Sequence, residues 1–122
     1  MSTLLSALRS ALFLLVMTAT VIPWAIAALV VSIFTRGAPV YWVCAHWLKV
    51  VIHACRVICG VRWRVQGMEH LPQTEKGAVI LLPKHQSTWE TFFFPMLMSH
   101  PLAYVFKREL LYIPFFGWAI GR

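Results

Sequence analysis

The chain has 122 residues, of which 60% are hydrophobic and 12% charged, with 11 Lys plus Arg against 4 acidic residues and a net charge of +7. Soluble domains carry about a quarter charged residues, so this composition excludes disorder and calls for a bilayer or further protein to cover its apolar surface. The length allows one small domain at most, and all four acids are glutamates, which excludes every mechanism that needs an aspartate.

From Ala11 to Thr35 there are 25 residues without a formal charge, bracketed by Arg9 and Arg36. As a helix this run spans about 37 Å at 1.5 Å per residue, enough for a hydrocarbon core of about 30 Å. Pro23 removes one backbone hydrogen bond near its middle, so a re-entrant hairpin is a physical alternative to a straight crossing. Ala25-Ile26-Ala27 also fits a small-x-small signal-peptide cleavage pattern, but cleavage there would leave Ala28 to Phe34 as a very apolar N-terminus. More positive charge follows this segment than precedes it, which places the downstream part in the cytoplasm.

A second apolar segment, about residues 40–61, carries His46, Lys49, His53 and Arg56 at spacings of three, four and three. These four fall within a stripe of roughly 80° on a helix, with Cys44, Cys55 and Cys59 on the opposite side. A His/Cys metal site on this helix is therefore not expected. The stripe suits a helix at the bilayer interface, with basic groups among lipid phosphates and Trp42 and Trp47 near headgroup level. It equally suits a second buried helix whose polar stripe faces the globular part. Cations punctuating apolar runs favour a membrane partner and speak against nucleic acid. Three cysteines without small-domain spacing fit a reducing compartment.

Val61 to Val65 alternates apolar residues with Arg62 and Arg64, the period of a half-buried strand. Gly67 to Pro72 reads as a turn, Ala78 to Leu82 as a buried strand, Thr91 to Met98 as a helix bent near Pro95, and Leu102 to Phe106 as another strand. Lys107 opens a helical or loop segment ending around Pro114 and Gly117. The order strand, helix, strand predicts an α/β arrangement. Two parts are expected: a membrane-associated two-helix region over 1–60 and the first part of an α/β domain over 61–122.

Between the second strand and the helix lies His85-Gln86-Ser87-Thr88-Trp89-Glu90. An acid five residues after a histidine can fold back onto Nδ1, fix the tautomer and leave Nε2 to remove a proton from a hydroxyl attacking a thioester. The competing reading is a capping box, in which Ser87 caps the helix and Glu90 reaches back to the Ser87 amide. Phe92, Phe93, Phe94 and Met96 suit an acyl groove or, at helical spacing, plain core.

His85-Gln86-Ser87 with Glu90, its preceding strand and the later Lys107-x-Glu109-Leu110, Pro114 and Gly117 resemble the first two motifs of the glycerolipid acyltransferase family. The likeness is greatest to its bacterial branch acting on 1-acyl-sn-glycerol 3-phosphate. Glu90 stands where that family usually has Asp, one methylene longer. The resemblance implies an acyltransferase of phospholipid biosynthesis on the cytoplasmic face of the bacterial inner membrane. Its substrates would be acyl-CoA or acyl carrier protein as donor and the sn-2 hydroxyl of lysophosphatidate as acceptor, giving phosphatidate.

His85 is then the base and Glu90 its orienter, Lys107 and Arg108 bind the acceptor phosphate, and no metal or cofactor is needed. The family's third motif, of Phe-Pro-Glu-Gly-Thr-Arg type, and its fourth have no counterpart here. The resemblance is thus to an N-terminal half, expected to be inactive alone. Glycerol 3-phosphate or another lysolipid is the alternative acceptor, and a non-catalytic membrane-anchored interaction protein is the alternative class.

Overall fold

The computed structural model describes residues 3–71, 79–84, 86–114 and 117–118. Helix α1 (Thr3–Phe34) is one unbroken rod of 32 residues, about 48 Å long. It runs through Pro23 without ending, so neither a break nor a re-entrant turn occurs within it. A proline inside a helix removes one donor and costs about 3 kcal/mol, which a rod of 32 residues carries without ending.

Thr35 closes α1 by returning its amide and hydroxyl to the Val31 carbonyl at 2.9 and 3.0 Å. Gly37 then takes φ 74°, a left-handed value that glycine adopts without a Cβ clash. Helix α2 (Ala38–Ala54) follows, with Pro39 in its first turn, where a missing N–H costs nothing. It continues into a wider π turn over Cys55–Cys59, closed by the Gly60 amide on the Arg56 carbonyl at 3.0 Å.

The two helices form an antiparallel hairpin. Near its turn, Ala25, Ala28 and Val40 are buried with Val31, Val43 and Cys44 against them, and small side chains of this kind let two backbones approach closely. At mid-length the Trp47 indole N–H donates to the Thr20 hydroxyl at 3.1 Å. At the open end the Cys59 thiol lies 3.9 Å from the Arg9 carbonyl. Trp47 is 6% exposed, so it belongs to the hairpin core and not to a headgroup belt as its position in the sequence suggested.

Helix α3 (Thr88–Leu97) packs on α2. It starts three residues earlier than its apolar pattern indicated, because Ser87 caps it, and it contains Pro95. The chain beyond α3 returns to α2, where Tyr41 lies beside Leu102 and Tyr104. Burial, then the adjacent Tyr41, pushes the Tyr104 phenol up to about 12, so that contact is uncharged at neutral pH.

The expected α/β arrangement is not found. Helices take up 70% of the described residues and no strand occurs among them. A strand exists only when its amides and carbonyls pair with a neighbour some 4.8 Å away. Residues 61–66, 79–84 and 101–106 instead run as unpaired segments. The first is held by its Trp63 ring against α3. The other two leave Ile80 84%, Leu82 89% and Val105 105% exposed. Ala78, the first residue of the second expected strand, and Pro72 of the expected turn lie outside the described residues.

Candidate active site

The amino end of α3 is built by its own first residues. Ser87 is extended, with φ −153° and ψ 171°, and its hydroxyl accepts the Trp89 amide at 3.2 Å. The Ser87 amide and hydroxyl both donate to Glu90 Oε2 at 3.0 Å. Capping box and helix start therefore come from the same four residues, as the Ser-x-x-Glu spacing dictates. The Glu90 carboxyl is held below the ordinary carboxylate range, first by its own backbone amide, with the Ser87 hydroxyl and the Ser87 and Gln86 amides adding to the effect. These are the orphan donors of a helix start converging on one anion.

His85 itself lies outside the described residues. Its chain neighbours Lys84 and Gln86 are exposed, and Ser87, two residues on, is the cap. The structure thus bears out the capping-box reading of Glu90. Capping does not exhaust the carboxylate, whose two oxygens offer about four acceptor sites.

Behind this helix start lies an aromatic cluster. Trp63 is 5.7 Å from Trp89 and 5.8 Å from Phe93, and Trp89 and Phe93 stack at 5.7 Å with their planes 20° apart. The Arg56 guanidinium sits over the Trp63 ring at 5.6 Å, and Phe92 meets Trp47 edge-on at 6.1 Å. Phe92 therefore packs α3 against α2, and Phe93 packs it against the segment that carries Trp63. Met96 and Phe94 are half-buried on the same helix. Trp63 is the residue that sequence reasoning missed: its alternating neighbours suggested a strand, and nothing in the spacing to Arg56 or Trp89 signals that the rings meet.

Lys107 and Arg108 are exposed and open a short 3-10 turn over Arg108–Tyr112. Neither forms an ion pair among the described residues. Three backbone hydrogen bonds close this segment: the Leu110 amide donates to the Lys107 carbonyl at 3.1 Å, the Ile113 amide to the Leu110 carbonyl at 3.3 Å, and the Gly117 amide to the Ile113 carbonyl at 2.8 Å. A Cβ on Gly117 would overlap the Leu110 carbonyl oxygen and come within 2.6 Å of Leu111. The glycine of the second motif thus has a steric reason, and the turn it closes presents Lys107 and Arg108 outward. No group of three or more potential metal ligands occurs among the described residues.

The candidate site thus consists of a helix start whose donors converge on Glu90 and an exposed basic turn at Lys107 and Arg108, with His85 two residues before the cap in the sequence. The chain belongs to the acyltransferase family, whose model matches residues 62–122. It is 44% identical over 116 residues to a 1-acyl-sn-glycerol-3-phosphate acyltransferase of Pseudomonas aeruginosa, a match covering 94% of this chain and 44% of that protein. A protein of the same name from Saccharomyces cerevisiae is 26% identical over 111 residues, 91% of this chain and 35% of its own length. The chain thus spans less than half the length of these curated relatives. No solved structure matches it.

Proposed function

We propose that the chain is the N-terminal, membrane-associated part of an enzyme that acylates the sn-2 hydroxyl of 1-acyl-sn-glycerol 3-phosphate, with acyl-CoA or acyl carrier protein as donor and phosphatidate as product. The observation that carries this reading is the match of nearly the whole chain, at 44% identity, to a protein named for that acceptor. In this reading residues 1–60 hold the protein at the cytoplasmic face of a bacterial inner membrane. Two helices, Thr3–Phe34 and Ala38–Cys59, are long and apolar enough to cross a bilayer. Residues 61–122 carry the first two site motifs.

His85 is the base. Its Nε2 takes the proton of the sn-2 hydroxyl as the oxygen attacks the thioester carbonyl carbon. The tetrahedral intermediate collapses with breakage of the C–S bond, and the imidazolium returns the proton to the departing sulfur. The thioester is already reactive, so positioning and proton transfer suffice and no metal or cofactor is required. Glu90 orients His85 while it caps α3, and the Lys107–Arg108 turn receives the acceptor phosphate. Phe92, Phe93 and Met96 serve the acyl chain only from the side of α3 that packing leaves open.

The test is a chimaera in which residues 1–122 replace the matching segment of the P. aeruginosa relative. Membranes containing it are assayed for transfer of a labelled acyl group to lysophosphatidate, glycerol 3-phosphate and other lysolipids. Transfer to lysophosphatidate that His85→Ala abolishes supports the reading. A chimaera that prefers glycerol 3-phosphate overturns the acceptor, and one that keeps full turnover with His85→Ala overturns the site.

A further inference from the structure

Arg56 is tied to the motif helix through aromatic rings. It lies in the π turn Cys55–Cys59 that ends the hairpin, and such turns occur most often at functional sites. Its guanidinium sits 5.6 Å from the centre of the Trp63 ring. Trp63 in turn lies 5.7 Å from Trp89, the second residue of α3 and the chain neighbour of Glu90. A cation of the hairpin is thereby held two ring spacings from the helix start that carries the first motif.

The protein itself does not use this charge. Arg56, Arg62 and Arg64 are exposed, and none of them pairs with a carboxylate among the described residues. Arg62 and Arg64 flank Trp63 in the chain, so two further guanidinium groups start on either side of the residue that holds Arg56. A guanidinium over an aromatic face keeps its N–H edge for an acceptor, and phosphate matches its fork of donors.

The proposed reaction brings two phosphate-bearing substrates to this helix start. The acceptor's phosphate is assigned to the Lys107–Arg108 turn, which leaves the donor's. CoA and acyl carrier protein present the thioester on the same phosphopantetheine arm. The phosphate at its far end is about 15 Å from the sulfur, the length of four or five extended residues. Two ring spacings lie within that reach.

We propose that Arg56, assisted by Arg62 and Arg64, binds the phosphate of the donor's phosphopantetheine arm. The assignment rests on the acyl-transfer reading and adds to it a donor subsite supplied by the end of the hairpin.

The experiment uses the chimaera described above in phosphatidylcholine nanodiscs and reads phenylglyoxal modification of Arg56 by peptide mass spectrometry. CoA and 4′-phosphopantetheine should slow the modification severalfold, and pantetheine should not. Carrier protein should slow it only with its arm attached. Protection by CoA alone or by the armed carrier alone supports the subsite and tells which donor it takes. In turnover, Arg56→Gln should raise the KM for that donor about tenfold, the scale of one charge-assisted contact, with the KM for lysophosphatidate unchanged. With acyl-pantetheine, which lacks the phosphate, the variant and its parent should have the same KM.

Equal protection by pantetheine, by carrier protein without its arm or by inorganic phosphate would overturn the proposal. So would a KM change confined to lysophosphatidate, which would move Arg56 to the acceptor. An equal loss with acyl-pantetheine would reduce it to packing against Trp63. The modification arm needs no turnover, so donor protection in a chimaera that fails to acylate lysophosphatidate would overturn the proposed acceptor and leave the subsite standing.

Discussion

Glu90 caps α3, and the proposed orientation of His85 would ask a second task of the same carboxylate. As a cap it needs one acceptor for the Ser87 amide, which a glutamine supplies as readily. As the orienter of His85 it needs a carboxylate, because a glutamine amide can present N–H₂ to Nδ1 and favour the wrong tautomer. In the chimaera, Glu90→Gln should therefore leave helicity unchanged and lower turnover by about 10² to 10⁴-fold, whereas Glu90→Asp should keep part of it. Full turnover in the Gln variant would restrict Glu90 to capping. Ser87→Ala removes the acceptor of the Trp89 amide and should cost about 1 kcal/mol of stability, measured by denaturant titration in detergent. The pH dependence follows in sign. Glu90 has a lowered folded-state pKa, so its cap is fully present above the unfolded value and is lost as pH falls through the folded one. The protection factor of the amides at the start of α3, taken against their intrinsic exchange rate at each pH, should fall on acidification through that window, and less so in Glu90→Gln. At the other motif, Gly117→Ala forces a methyl onto the Leu110 carbonyl and should destabilise the turn by about 1 to 3 kcal/mol, with Lys107 and Arg108 losing protection from trypsin.

At the scale of elements, the aromatic cluster joins the motif helix to the membrane hairpin. Trp63→Ala removes a half-buried ring that meets Trp89, Phe93 and Arg56. It should cost about 2 to 3 kcal/mol, read as faster exchange throughout α3 while α1 and α2 keep theirs. Thr20→Val removes the acceptor of the Trp47 indole and should cost about 0.6 kcal/mol, the usual scale between helices in a bilayer. The elements differ in how far the sequence reveals them. The two helices of the hairpin were legible, though not their pairing, because a charge-free run and a 3.6-residue polar stripe are local signals, and so was the cap, which is contained in four consecutive residues. The Trp63 contacts were not, since they join residues 7, 26 and 30 positions apart. The expected strands failed for a related reason: alternation at 61–65 and short apolar runs at 78–82 and 102–106 report which side chains seek cover, but a ladder needs a neighbour, and no local pattern supplies one. Trp47 shows the same limit, since an amphipathic ring reads as a headgroup anchor until Thr20 of the other helix offers it an acceptor.

The whole molecule combines an apolar hairpin with a basic surface, and these two contributions to membrane attachment respond differently to salt. Charge contacts at an interface weaken as the Debye length shrinks, from about 8 Å at physiological ionic strength to about 3 Å at 1 M. Burial of apolar surface does not weaken, and α1 exposes Leu, Ile and Val along most of its length. The chain should therefore stay with membranes through high-salt and carbonate washes and come off in detergent. Without detergent or lipid it should aggregate, because Ile80, Leu82 and Val105 add exposed apolar surface and unpaired backbone to that of α1. Removing residues 1–36 separates the two contributions. If the polar stripe of His46, Lys49, His53 and Arg56 lies at the bilayer interface, the shortened chain should still float with vesicles containing phosphatidylglycerol at low salt and be released as salt rises, and it should not float with phosphatidylcholine alone. Salt-resistant flotation of the shortened chain would mean that α2 inserts on its own, and release of the intact chain by salt would mean that α1 does not insert at all.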